Sequence, residues 1–191
     1  FKIKNRDFES TVTVRRNDME DDKFGLYGPM LKEMGRVTKQ HPDTLVFKLL
    51  RDGFATSCYD GQFFFDSDHI GWNEADEVVS ISNAQSGSGP AWFLLDLSRS
   101  VKPIIWQERK GYDFVAMDQP GQENVFMRKE YIYGVDARVN VGFGLWQLAF
   151  GSKAEMTREN YVLARNAMMA FKGDKSHLLG VKPTHLVVPP A

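Results

Sequence analysis

Glu130-Tyr-Ile-Tyr-Gly-Val-Asp-Ala-Arg-Val-Asn-Val-Gly-Phe-Gly-Leu-Trp-Gln-Leu-Ala-Phe150 carries the clearest structural signal in the chain. Tyr131, Tyr133, Val135, Ala137, Val139, Val141, Phe143 and Leu145 alternate with Gly134, Asp136, Arg138, Asn140, Gly142 and Gly144. A period of two places one set on a buried sheet face and the other toward water. As one strand, the stretch would span roughly 66 Å at about 3.3 Å per residue, far beyond the usual five or six residues. Such length suits an elongated architecture. Alternatively, Gly142 and Gly144 mark a bend that divides it into two ordinary strands.

Upstream, Phe8, Ser10, Val12 and Val14 alternate with Glu9, Thr11, Thr13 and Arg15 after a polar break at Asn5 to Asp7. Residues 1–16 therefore read as a strand or hairpin arm with one wet face, either an exposed arm or an ordinary edge strand. Asn17 or Asp18 is placed to cap a following helix, with Glu20, Asp21 and Asp22 in the first turn, where the helix dipole favours carboxylates. Tyr27, Met30, Leu31, Met34 and Val37, then Leu45, Phe47, Leu49 and Leu50, recur at helical spacing. The pattern predicts a helical region over 18–53, kinked or restarted near Pro42 and ended by Gly53.

Periodicity fails from 55 to 90, and Ser86-Gly-Ser-Gly-Pro90 reads as a flexible loop. Three short apolar runs follow at Trp92–Leu97, Val101–Gln107 and Tyr112–Met117, and Asp118-Gln-Pro-Gly121 supplies a turn. A second helix is expected after Thr157 as cap, with Tyr161, Ala164, Met168 and Phe171 on one stripe and Gly173 as its stop. Leu178 to Pro190 reads as the beginning of a buried strand.

The 191 residues suffice for a sizeable core, and 24 Lys+Arg against 25 Asp+Glu leave no basic surplus of the kind that drives sequence-independent nucleic-acid binding. A single cysteine, Cys58, cannot form an internal disulfide, so a reducing compartment is the default. No apolar run approaches the roughly 18 residues of a membrane span, and the chain reads as soluble. Because it opens on Phe1 within an alternating pattern, the natural N-terminus is expected upstream.

Chemistry is sparse. Cys58, Asp60, Asp66, Asp68 and His69 form the best local cluster of metal-ligand types, but there is no CxxC or HxxxH, and Asp66-x-Asp68 lacks the glycine and terminal glutamate of a calcium loop. The cluster reads as a hydrogen-bonded loop whose aspartates cap turns, and no metal, cofactor or catalytic residue is assigned. His41, His69, His177 and His185 are scattered. Gly142-x-Gly144 lies inside a strand pattern and lacks the third glycine of a nucleotide fingerprint, and the 85–90 stretch is neither a nucleophile elbow nor a P-loop. Lys2, Lys4, Arg6, Arg15 and Arg16 are interleaved with Asp7, Glu9, Asp18, Glu20, Asp21 and Asp22, a mixture that favours protein–protein salt bridging over phosphate tracking.

Seven motifs in order carry a resemblance: Asp18-Met-Glu-Asp-Asp22, Tyr27-Gly-Pro-Met-Leu-Lys-Glu-Met-Gly35, Phe47-Lys-Leu-Leu-Arg-Asp-Gly-Phe54, Cys58-Tyr-Asp-Gly-Gln62 with Phe64-Phe-Asp66, Val101-Lys-Pro103 with Gln107-Glu-Arg109, Gly142-Phe-Gly-Leu-Trp-Gln147, and Leu179-Gly-Val-Lys-Pro-Thr-His185 with Val187-Val-Pro189. From about residue 5 to its last residues the chain resembles the major head subunit of Mu-like phages and prophages, the gpT family. The resemblance implies an α+β, HK97-like capsid fold with an extended arm or loop (1–16), a peripheral domain (17–156) holding a long spine helix (18–53), the loop 55–90 and long antiparallel strands, and the start of an axial domain (157–191). Family members continue beyond both ends of this sequence.

The function implied is structural and non-enzymatic: self-assembly into an icosahedral shell that encloses phage DNA without sequence-specific binding. Its partners would be further copies of itself, with scaffold, portal and decoration proteins, and no membrane. The expected location is the virion, and the bacterial host cytoplasm before and during assembly. Phe1, Ile3 and Phe8 are expected to pack on a neighbour, and Arg15, Arg16, Asp18, Glu20, Asp21 and Asp22 to form intersubunit ion pairs. The alternative readings are a metal- or ligand-binding α+β domain centred on 58–69 and an encapsulin-like compartment of the same fold.

Overall fold

The computed structural model describes residues 2–22, 25–73, 75, 77–173 and 177–190. Phe1 lies outside the described residues. The elements run β1 (Arg6–Arg15), α1 (Arg16–Glu20), α2 (Tyr27–Asp52), β2 (His69–Trp72), β3 (Val78–Ile81), β4 (Ala84–Gln85), β5 (Trp92–Leu95), β6 (Ile104–Met117), α3 (Glu123–Arg128), β7 (Glu130–Phe143), a 3-10 turn (Trp146–Leu148), β8 (Ala149–Ser152), α4 (Arg158–Met169) and β9 (His185–Val187). The chain folds as two compact units. One comprises Phe1–Lys2, Phe47–Ile105 and Val141–Ala191, and the other Ile3–Val46 and Trp106–Asn140.

The second unit is built on a three-stranded sheet in the order β1-β7-β6. β1 pairs antiparallel with β7 in one unbroken register from Arg6 opposite Val139 to Arg15 opposite Glu130. The expected arm is thus an edge strand of its own chain. Its alternation holds: Phe8 and Val12 are half-buried and Val14 is buried. Asp7 sits opposite Arg138 and accepts its Nε–H at 2.7 Å, a cross-strand ion pair of the kind that helps fix register. β6 joins two of the predicted apolar runs into one 14-residue strand. The charged stretch Glu108–Lys110 that seemed to separate them is its exposed middle, where Lys110 pairs with Asp136 of β7 at 2.8 Å.

α2 corrects the predicted 18–53 helix. A separate five-residue helix, α1, comes first; its N-cap is Arg15, with no side-chain cap, so neither Asn17 nor Asp18 has that role. Asp22 instead caps α2, accepting the amides of Leu26 at 3.1 Å and Tyr27 at 3.2 Å. The helix runs through Pro42 without a restart. The proline removes one backbone bond, and its exposed neighbours Lys39, Gln40, Asp43 and Thr44 leave the freed carbonyl open to water. The helix ends at Asp52, directly before Gly53 as predicted, and a Cβ at Gly53 would lie 2.8 Å from the Phe65 ring.

The other unit holds the β2–β3 hairpin and a four-stranded sheet in the order β4-β8-β5-β9. Its core gathers Phe64, Phe65, Trp92, Phe93, Leu94, Leu95, Phe143, Trp146, Phe150, Met168 and Phe171. Phe64 stacks on Phe143 with ring centroids 4.1 Å apart. Each such side chain, fully buried, contributes about 1.5–3 kcal/mol.

The 130–150 pattern divides near Gly144, as one alternative expected, but β7 itself keeps 14 residues and is longer than an ordinary strand. β7 stops at Phe143 because Gly144 approaches Lys102 so closely that a Cβ would lie 2.0 Å from its carbonyl oxygen. α4 has Thr157 as its cap, accepting the Asn160 amide at 3.2 Å, and it buries Ala164 and Met168. It ends at Met169, short of Gly173. Two further expectations change. Strands β2, β3 and β4 occupy part of the aperiodic 55–90 stretch. Residues 86–90 form a largely exposed loop that runs along Lys153, with the Gly89 amide donating to Lys153 O at 2.8 Å and no room for a Cβ at Gly87. β9 is an edge strand whose His185 and Leu186 are exposed, not a buried one.

Candidate assembly surfaces and a buried polar node

The charged residues expected at a subunit interface fall into two groups. Arg16, Glu20 and Asp22 are committed within the chain: Arg16 Nε lies 3.6 Å from a Glu20 carboxylate oxygen, the Arg16 amide donates to Lys129 O at 2.8 Å, and Asp22 caps α2. Arg15, Asp18 and Asp21 are exposed, and none of them has a side-chain ion pair among the described residues. Ile3 is half-buried, and its carbonyl accepts from Gln107 Nε2 at 3.4 Å. Phe8 packs within its own unit, edge-on to His41 with ring centroids 4.3 Å apart.

Beside Phe8 lies an apolar groove of about 390 Å³, walled by β1 and α2 and including Val12, Met30, Met34, Val37 and Tyr112. His41 Nδ1 and the Tyr112 hydroxyl meet at 2.6 Å in this groove. Burial holds His41 below the ordinary histidine value and pushes the Tyr112 hydroxyl up, which favours the neutral form of each. The same unit exposes Phe126 (75%) and Met127 (71%) on α3 and Phe114 and Val115 on β6. In the other unit the β2–β3 hairpin exposes Ile70, Trp72 and Val78. Apolar side chains of this size left in water suit a surface that another protein covers.

The loop cluster resolves into a buried polar node. Of its members, Cys58, Asp60 and His69 converge. Asp60 accepts the Cys58 thiol at 3.0 Å and the Gln62 amide at 3.1 Å on Oδ1, while Oδ2 lies 2.7 Å from His69 Nδ1. Burial raises the Asp60 pKa, but these hydrogen bonds outweigh it and the net shift is downward. The thiol is pushed up to about 12, by burial first and by Asp60 second. Asp66 and Asp68 stand apart. Asp66 binds the Phe63 and Ser67 amides as a turn cap, at 3.2 and 2.7 Å, and Asp68 is exposed.

Asn83, unmarked by any sequence pattern, organises this region. It is fully buried; its Nδ2 points at the carbonyls of Phe64 (2.8 Å), Trp146 and Ala149 (both 3.4 Å), and its Oδ1 receives the Asp66 amide at 2.9 Å and faces His69 Nε2 at 3.2 Å. The His69 ring lies flat on Trp146, with centroids 4.0 Å apart and planes 9° from parallel. In the sequence Asn83 is one polar residue between Ser82 and Ala84, which cannot be told from a loop position.

Among the described residues no helix is long and apolar enough to cross a membrane. The profile of the family described as Mu-like prophage major head subunit gpT matches residues 1–191. The chain is 44% identical over 198 residues to the Mu-like prophage FluMu major head subunit of Haemophilus influenzae, covering 100% of this chain and 64% of that protein. It is 43% identical over 195 residues to the major capsid protein of Escherichia phage Mu, covering 99% and 64%. This chain thus spans 64% of the length of these curated relatives. Among solved structures, the bacteriophage JBD30 procapsid aligns with a TM-score of 0.80 at 48% identity, over 97% of this chain and 64% of that one. The JBD30 capsid aligns at 0.81 and 32%, over 98% and 64%. The fold is α+β and HK97-like, shared with phage capsid proteins.

Proposed function

The chain belongs to the Mu-like prophage major head subunit gpT family, a family of structural capsid proteins, and from that premise we propose that it builds the icosahedral head of a Mu-like tailed phage by self-assembly. The observation that carries this reading is the alignment of nearly the whole chain with phage capsid subunits at TM-scores of 0.80–0.81. Repetition of one subunit in a closed shell requires surfaces that are satisfied only by neighbours. Arg15, Asp18 and Asp21, together with the exposed apolar side chains of α3, β6 and the β2–β3 hairpin, supply the charge and apolar area for such contacts. Exposed ion pairs are worth about 0–1 kcal/mol each, so apolar burial carries most of the association energy and the charges select register.

A decorated JBD30 capsid carries minor capsid protein trimers. By the same logic, scaffold, portal and decoration proteins are partners of this subunit, DNA is enclosed without sequence-specific contacts, and the site of action is the host cytoplasm during assembly and the virion afterwards. Electron microscopy of the full-length protein, expressed with and without its scaffold, tests the proposal. Capsomers or closed shells are expected; a folded subunit that forms neither with scaffold present overturns it.

A further inference from the structure

We propose that Cys58, Asp60 and His69 form a binding site for a borderline divalent cation of the zinc class, taken up in exchange for two protons. The argument begins outside the three ligands. The Asn83 amide nitrogen is committed to three carbonyls, which fixes its oxygen as the acceptor facing His69 Nε2. Nε2 must then carry a hydrogen. A metal-binding histidine commonly donates its second ring N–H to a carbonyl in this way, which leaves the other nitrogen to the metal. That nitrogen, Nδ1, points at Asp60 Oδ2 from 2.7 Å, with the Cys58 thiol on the other carboxylate oxygen. Two lone pairs do not face each other at this distance without a positive particle between them, so the pair holds a proton.

Charge balance makes the exchange feasible in a buried place. The thiol, the carboxyl–imidazole pair and its shared proton sum to zero charge. Thiolate, carboxylate, neutral imidazole and a divalent cation also sum to zero, once one proton leaves Sγ and one leaves the Nδ1···Oδ2 contact. Tetrahedral zinc bonds place nitrogen and oxygen about 3.4 Å apart and sulfur and oxygen about 3.6 Å apart. With Oδ2 as the ligand, its 2.7 Å contact to His69 Nδ1 must open by roughly 0.7 Å, and the Cys58 sulfur must turn from Oδ1 toward the same ion. The mobile partner is Asp60, since its turn is half-exposed while His69 is locked between Trp146 and Asn83. The exposed side of Asp60 admits water as the fourth ligand. Sulfur and nitrogen donors exclude magnesium and calcium as the preferred ion.

The test is titration of untagged, reduced, full-length protein with Co²⁺, then displacement by Zn²⁺. A thiolate-to-cobalt charge-transfer band saturating at one equivalent, with about two protons released per ion into weak buffer, is expected. Cys58→Ala should abolish the band, and Asp60→Asn should weaken uptake at least tenfold, each with unchanged circular dichroism. The absence of a band in the wild-type protein, or a band that persists in Cys58→Ala, overturns the proposal. The wild-type measurement decides even if a variant fails to fold.

Discussion

Replacing Asn83 by Asp is the sharpest probe of the buried node, because the change is nearly isosteric and alters one property. In the native fold the amide nitrogen donates toward Phe64 O at 2.8 Å and toward Trp146 O and Ala149 O at 3.4 Å. An ionised carboxylate would turn a second oxygen against these three carbonyls in a fully buried position. The new group escapes by taking a proton, whose O–H then restores the bond to Phe64. Holding a carboxyl protonated at pH 7, about three units above its ordinary value, costs about 4 kcal/mol at 1.36 kcal/mol per unit. That is a large share of the roughly 5–15 kcal/mol by which domains are stable.

Asn83→Ala instead leaves Phe64 O, the Asp66 amide and His69 Nε2 without this partner; with water entering the vacated space, a loss of about 3 kcal/mol follows. Urea unfolding is followed by tryptophan fluorescence, since Trp72, Trp92 and Trp146 lie in the unit that holds Asn83. At pH 7 Asn83→Asp should be the less stable variant. At pH 4.5 its deficit against wild type should shrink by more than half. A deficit below about 1 kcal/mol at pH 7, or one independent of pH, would refute the assigned amide orientation.

Four other perturbations address separate parts of the molecule. Burial raises the Asp96 pKa, but hydrogen bonds from the Ser98 hydroxyl (2.5 Å) and amide (2.9 Å) and the Lys182 amide (3.0 Å), with Arg99 nearby, bring it below the ordinary value. Its stabilisation is therefore full above the unfolded carboxylate range, near about pH 4, and is lost as pH falls through the lowered folded value; Asp96→Asn should flatten the acid limb of a melting temperature–pH curve, and parallel curves would count against this. Gly144→Ala drives a methyl to 2.0 Å from Lys102 O and should cost about 1–3 kcal/mol in thermal unfolding. Asp22→Ala removes the α2 cap and should lower subunit stability by about 1 kcal/mol, whereas Asp18→Lys with Asp21→Lys should leave the melting temperature unchanged and reduce particle yield in an assembly assay.

The long elements β1, β7 and α4 were legible because a buried face recurs against a wet one over ten or more residues. The β7 alternation ends in buried Ala137, Val139, Val141 and Phe143, and the α4 stripe in Ala164 and Met168. Thr157 was readable because capping is local chemistry within four residues. β6 was not, because its middle crosses a charged stretch whose partner, Asp136, is 26 positions away. Pro42 misled for a related reason: local propensity predicts an interruption, but one lost bond on a solvated stretch is a bearable defect in a 26-residue helix. The polar node was only half visible. Cys58, Asp60 and His69 stood out as ligand types, yet the residue that orients them, Asn83, is 14 positions beyond His69 and reads as loop.

The balanced charge of the chain also acquires a finer meaning. From composition, interleaved acids and bases at residues 2–22 suggested that most were reserved for neighbours. Within the chain, Asp7 is tied to Arg138 across the sheet, Glu20 sits by Arg16 and Asp22 holds a helix end, so part of the mixture secures local geometry. Of the six charges expected at a subunit interface, Arg15, Asp18 and Asp21 are left over, and at about 0–1 kcal/mol per exposed pair they cannot hold a shell together. Strand β6 and helix α3, by contrast, leave Phe114, Val115, Phe126 and Met127 in water. Covering such side chains yields about 1.5–3 kcal/mol each when fully buried, several times the value of an exposed ion pair. Assembly through these surfaces should accordingly tolerate added salt and weaken on cooling, the signature of apolar rather than ionic association.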